Sequence, residues 1–206
     1  MSIDLAGRVA LVTGGARRLG RAFAVGLAER GMHVAVHFDS SSDEADEVVA
    51  ALGAAGHRAA AFGANLTDAD AACALPGRVV AHFGRLDVLV NSAAVMERLG
   101  VADTTVAQWD AIMHLNLRAP FLLAQQAAPY LKQHGGRIVN IADLGGLEPW
   151  PSYAAHSISK AGVVMLTKVL ATALAPDINV NAIAPGTVLV PDDYDDARRT
   201  FLTETT

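Results

Sequence analysis

Short apolar runs alternate along the chain with longer stretches in which apolar residues recur at helical spacing. The first run, Val9-Ala10-Leu11-Val12, reads as a buried strand and ends at a glycine-rich turn. A helical pattern over 18–30 follows, carrying Leu19, Phe23, Val25 and Leu27, with Gly31 as its stop signal. The same alternation predicts strands at 34–38, 58–62, 88–91, 137–141 and 179–183. Helices are predicted at 44–52, 68–83, 108–132 and 157–174.

Strands separated by helices are expected to run parallel, because a parallel pair needs a crossover connection and buries both faces of its sheet. The expectation is a doubly wound α/β fold in a single domain over 1–206. No internal repeat, low-complexity tract or linker interrupts it. The tail 191–206 is polar and acidic, with Asp192, Asp193, Asp195 and Asp196, and reads as a loop or loose extension.

A hydrophobic fraction of 52% over 206 residues suits one domain with a large core. The net charge of -5 offers no broad basic surface, so no nucleic-acid partner is expected. Arg17 and Arg18 form a local positive spot that suits a small anionic ligand instead. The single cysteine, Cys73, excludes an internal disulfide framework, and the Met-Ser-Ile-Asp start lacks the pattern of a signal peptide. No apolar run approaches the roughly 18 residues of a membrane span. A cytoplasmic protein with neither membrane nor metal partner is expected.

Gly14, Gly15 and Gly20 stand between the first strand and the first helix, within Thr13-Gly14-Gly15-Ala16-Arg17-Arg18-Leu19-Gly20. Missing side chains there let backbone approach a pyrophosphate, and the helix N-terminus supplies N–H donors. Any glycine-rich α/β turn looks similar, so the downstream pattern decides. At the end of the second strand an acid would bind the ribose hydroxyls of NAD and repel a phosphate. Asp39 is the candidate, but His37, Ser40 and Ser41 can donate to a phosphate, and the guanidinium of Arg18 adds charge. NADP is the preferred cofactor, with NAD as the alternative. Farther on, Ser152-Tyr153-Ala154-Ala155-His156-Ser157-Ile158-Ser159-Lys160 sets an imidazole and an ammonium one helical turn apart.

Together these segments resemble the short-chain dehydrogenase/reductase family and, through Arg18 and Asp143, its pteridine reductases. The resemblance implies a Rossmann-type fold and an oxidoreductase acting on a carbonyl or pterin-like C=N bond of a small molecule. In the family a tyrosine is the acid–base group, with a lysine four residues later, a serine thirteen earlier and an asparagine in the preceding long helix. Those positions hold His156, Lys160, Asp143 and Asn116. Asn116 is expected either to hold a helix-kinking water in a proton path or to be a capped or solvent-facing helix asparagine.

Histidine in place of tyrosine leaves two readings open, an active reductase and a cofactor-binding pseudoenzyme. Lys160 and Asp143 bias the protonation of such a histidine in opposite directions. A protonated Asp143, its pKa raised by burial, is one candidate donor. The resemblance also assigns cofactor contacts to Gly14, Arg17, Arg18, Leu19, Gly20, His37 and Ser40. Asn65 and Leu66 of Asn65-Leu66-Thr67 stand near the adenine, followed by Asn91, Ser92 and Ala93. Lys160 takes the ribose, and Pro185, Gly186 and Thr187 take the nicotinamide side. Asp143, Met96 and Tyr153 are the substrate-side candidates. Family members continue past the Pro185-Gly186 segment, so the chain is expected to be short at its C-terminus. The 157–174 helix is apolar nearly all round and, with 108–132, is expected to form a homodimer or homotetramer.

Overall fold

A computed structural model describes residues 4–186 and 188. Six strands form one parallel sheet: β1 (Val9–Val12), β2 (His33–Phe38), β3 (Ala59–Gly63), β4 (Val88–Asn91), β5 (Arg137–Ile141) and β6 (Asn179–Ile183). Their order is β3-β2-β1-β4-β5-β6, each neighbouring pair parallel. The helices are α1 (Arg18–Ala28), α2 (Ser42–Ala54), α3 (Ala69–Phe83), α4 (Val106–Met113), α5 (Ala119–Lys132) and α6 (Ala154–Ala173).

The apolar runs become central strands because each buries both faces. Every residue of β1 and β4 is buried. On one face Leu11, Leu89 and Ile138 pack with Leu75 and Val79 of α3, Leu123 and Leu131 of α5 and Leu170 of α6. On the other, Val12, Val34 and Val36 pack with Ala24 and Ala28 of α1 and Val48 and Leu52 of α2. Asp87 closes the lower end, taking Val9 N–H at 2.8 Å and Arg85 at 2.6 and 2.8 Å. The order of strand addition reverses between β1 and β4, which opens a crevice at their C-terminal ends.

The helix expected over 108–132 is instead two helices joined by a π-helical turn, His114–Arg118. The wider turn directs Asn116 inward, where Oδ1 accepts Val95 N–H at 2.9 Å and Nδ2 donates to the Val95 carbonyl at 2.9 Å. Apolar periodicity persists through such a turn, so the pattern alone hides it. α6 begins three residues before the expected 157. The 191–206 tail lies outside the described residues. Among the described residues no helix is long and apolar enough to cross a membrane.

Candidate active site

The turn after β1 is held by Thr13, whose hydroxyl donates to the Val90 carbonyl at 3.3 Å and accepts Ser92 and Ala93 N–H at 2.9 and 3.0 Å. This joins the loops after β1 and β4 across the crevice. A Cβ on Gly20 would lie 2.0 Å from the Gly14 carbonyl oxygen, so helix α1 can start this close to the turn only with glycine. Arg18 has φ +47°, a left-handed conformation that costs a side-chain-bearing residue about 1 kcal/mol.

A cleft of about 390 Å³ lies over these loops. Gly14, Arg17, Arg18, Leu19 and Gly20 line it from the turn and the start of α1. His37 and Ser40 come from the end of β2, Asn65 and Leu66 from the loop after β3, and Ser92 and Ala93 from the loop after β4. Asp39 shares the wall. Arg17 pairs with Glu44 of α2, and Arg118 donates to the Thr67 carbonyl, tying the β3 loop to the π turn. Asn65 Oδ1 accepts the N–H and hydroxyl of Thr67 at 2.9 and 2.7 Å, which shapes that loop.

The expected donation from His37 to a phosphate is corrected. Gly14 N–H donates to His37 Nδ1 at 3.1 Å, so the ring proton sits on Nε2 and goes to the Ala64 carbonyl at 2.9 Å. Burial lowers its pKa, although Ala64 and Asp39 oppose that, and the ring acts as a neutral brace between loops. Asn91 does not line the cleft. Its amide donates to Asn140 Oδ1 at 2.8 Å and Asn140 donates to Thr167 at 2.9 Å, linking β4, β5 and α6. Pro185 and Gly186 follow β6 and are not among the residues lining this cleft, and Thr187 lies outside the described residues.

Beyond the end of β5, Asp143, His156 and Lys160 meet. Asp143 Oδ2 is 3.6 Å from His156 Nε2, and Oδ1 accepts Gly145 N–H at 2.8 Å. The His156 side chain is 3% exposed, with Nδ1 3.3 Å from the Val95 carbonyl. Trp150 lies parallel to it at 12°, with ring centroids 6.5 Å apart. Lys160 is buried and donates from Nζ to the Ile141 carbonyl at 2.7 Å. Burial pulls its pKa down to about 8, with Asp143 pulling the other way.

Burial pushes the Asp143 carboxyl up, but His156, Gly145 N–H and the Lys160 charge together outweigh it and hold the group below its ordinary value. The expected burial-protonated Asp143 is therefore corrected: its resting form is a carboxylate. Asn116 does not take the solvent-facing alternative. It is 2% exposed, not solvent-facing, and its amide is occupied by Val95 and by Ser159 Oγ at 3.1 Å. It clamps the backbone that faces His156. Tyr153 is half-buried and meets Trp150 edge-on at 6.3 Å, while Met96 is 48% exposed beside Val95. Sequence reasoning missed Thr13, Val95, Trp150 and Ser159. Thr13 and Ser159 sit inside the quoted motifs and Trp150 just before one of them, whereas the Val95 contacts with Asn116 and His156 join segments far apart in sequence and leave no local signal.

Residues 8–197 match the family described as short chain dehydrogenase. The chain is 41% identical over 184 residues to the 3-oxoacyl-(acyl-carrier-protein) reductase of Synechocystis sp., covering 88% of this chain and 74% of that protein. It is 38% identical over 192 residues to the 2-dehydro-3-deoxy-D-gluconate 5-dehydrogenase of Dickeya dadantii, covering 90% and 73%. A crystal structure of a short chain dehydrogenase from Burkholderia cenocepacia in complex with NADP superimposes with a TM-score of 0.89 at 37% identity, covering 96% of this chain and 83% of that one.

Proposed function

The chain belongs to the short chain dehydrogenase family, and from that premise we propose an NADPH-dependent oxidoreductase that reduces a carbonyl or a pterin-like C=N bond. The observation that carries the reading is the convergence of Asp143, His156 and Lys160 next to a glycine-lined crevice. The cleft's donor set fits a phosphorylated dinucleotide: close-packed glycines, Arg17 and Arg18, and the Ser40 hydroxyl. The NADP complex of the Burkholderia relative supports the same cofactor here. A carbonyl substrate is favoured by the 3-oxoacyl reductase relative, and a pterin-like one by Arg18 and Asp143.

When bound, NADPH supplies the hydride. Arg17, Arg18 and Ser40 would hold the adenosine phosphate, Asn65 and Leu66 the adenine side, Ser92 and Ala93 the wall beneath, and Pro185 and Gly186 the nicotinamide side. Lys160 contributes a positive charge near the ribose. Protons reach the substrate heteroatom through the Asp143–His156 pair, in which the partly exposed carboxylate faces outward and the buried imidazole stands behind it. Met96 and Tyr153 form the substrate walls.

NADPH consumption over a panel of ketones and pterins tests this. Asp143→Asn is expected to lower turnover by about 100-fold or more with NADPH affinity retained, and His156→Ala to cost less. The reverse order would assign the proton transfer to His156 alone, without relay through the Asp143 carboxylate. A second reading, a cofactor-binding pseudoenzyme, is favoured by the 3% exposure of the His156 side chain, which keeps the ring that replaces the tyrosine out of the open site.

A further inference from the structure

Glu44 stands in the first turn of α2, and its carboxylate engages the guanidinium of Arg17 across the mouth of the cleft. Arg17 lines that cleft together with Ser40 and Ser41, and α2 begins immediately after them. Ser41, the residue capping α2, makes no side-chain cap, so the amides of the first turn are left to other acceptors. The Glu44 carboxyl is held below its ordinary value, first by the Arg17 hydrogen bond and then by Glu44's own backbone N–H. The neighbouring acid, Asp43, is turned instead toward the Ser42 hydroxyl at 3.4 Å. A carboxylate on both a guanidinium and a helix N-terminus has the partners a phosphate would take.

Resting on the cofactor reading above, we infer that Glu44 is an internal stand-in for the adenosine phosphate and sets the discrimination between NADP and NAD. The Arg17–Glu44 pair is exposed, 62% and 34% at the two side chains, so a doubly charged phosphate can displace it at small cost. The displaced carboxylate stays within a helical turn and repels the phosphate. NAD, which lacks that group, leaves the pair intact. Glu44 therefore weakens NADP without touching NAD and is a specificity-determining residue, not a catalytic one.

The test is calorimetric titration of NADP and NAD into wild type, Glu44→Gln, Arg17→Ala and the double variant. Glu44→Gln should bind NADP about 3- to 10-fold tighter and NAD within about 2-fold of wild type. In the Arg17→Ala background the Glu44→Gln gain should shrink, because the guanidinium is what the substitution releases. Unchanged or weaker NADP binding by Glu44→Gln overturns the inference, the weaker case meaning that Glu44 holds Arg17 in place for the phosphate. The cofactor preference is judged separately from the wild-type ratio. A wild type that binds both dinucleotides alike refutes that preference, while a selective gain in Glu44→Gln still supports the role of Glu44.

Discussion

Lys160 is buried at 5% exposure and loses its proton near pH 8, because desolvation disfavours its ammonium more than Asp143 favours it. Its folded pKa is lowered, so the unfolded chain binds the proton more tightly. The group costs stability where it is charged in both states, below pH 8, and that cost fades as pH rises from about 8 toward its ordinary value of 10.5. For function the sign is the opposite, since the ribose contact proposed for Lys160 needs the cation. The kcat/KM of NADPH-dependent reduction is expected to fall as pH rises through about 8. Lys160→Arg, which keeps its charge, should move that limb upward, as pH–rate profiles of the two proteins would register. A limb unmoved by Lys160→Arg would assign it to another group. Strain is local as well: Arg18 holds a left-handed backbone at φ +47°, and Arg18→Gly should weaken NADPH binding, as cofactor titration would register.

The π turn between α4 and α5 is the element that ties the loops of the site together. Asn116 holds both backbone groups of Val95 and the hydroxyl of Ser159, and Ser159 in turn donates to the His156 carbonyl at 2.7 Å. Asn116→Ala strands these buried partners, so a loss of about 2–3 kcal/mol is expected in chemical denaturation, with turnover falling further than NADPH binding. Equal losses in both would reduce Asn116 to a fold-stabilising residue. The apolar runs of β1, β4 and β5 and the glycine spacing after β1 made the sheet legible, because burial on both faces leaves a continuous apolar run. The one-turn spacing of His156 and Lys160 on a single helix was legible from the residues, while Asp143 entered only through the family resemblance, and the structure sets it 3.6 Å from His156. What stayed hidden was contact across elements. Nothing near His37 announces that Gly14 and Ala64 consume its ring, and nothing near Asp143 announces that His156 and Gly145 outweigh its burial.

Across the whole molecule, α6 leaves Ile158, Met165 and Val169 exposed at 49%, 57% and 55%, and α5 adds Phe121 at 44%. An apolar surface of this kind on a long helix is expected to be covered by a second copy of the chain. Light scattering at micromolar concentration should give a dimer or tetramer, and Met165→Asp with Val169→Asp should give a monomer. A stable wild-type monomer would contradict the association. The same molecule presents a dinucleotide cleft at the strand-order reversal and an Asp143–His156–Lys160 cluster beyond β5. With the histidine in place, this cluster is expected to support NADPH turnover. The most direct measurement is NADPH consumption by wild type and His156→Tyr over the same panel of ketones and pterins. Wild type is expected to reduce at least one of them; consumption seen only in His156→Tyr would show that the native cluster does not turn over.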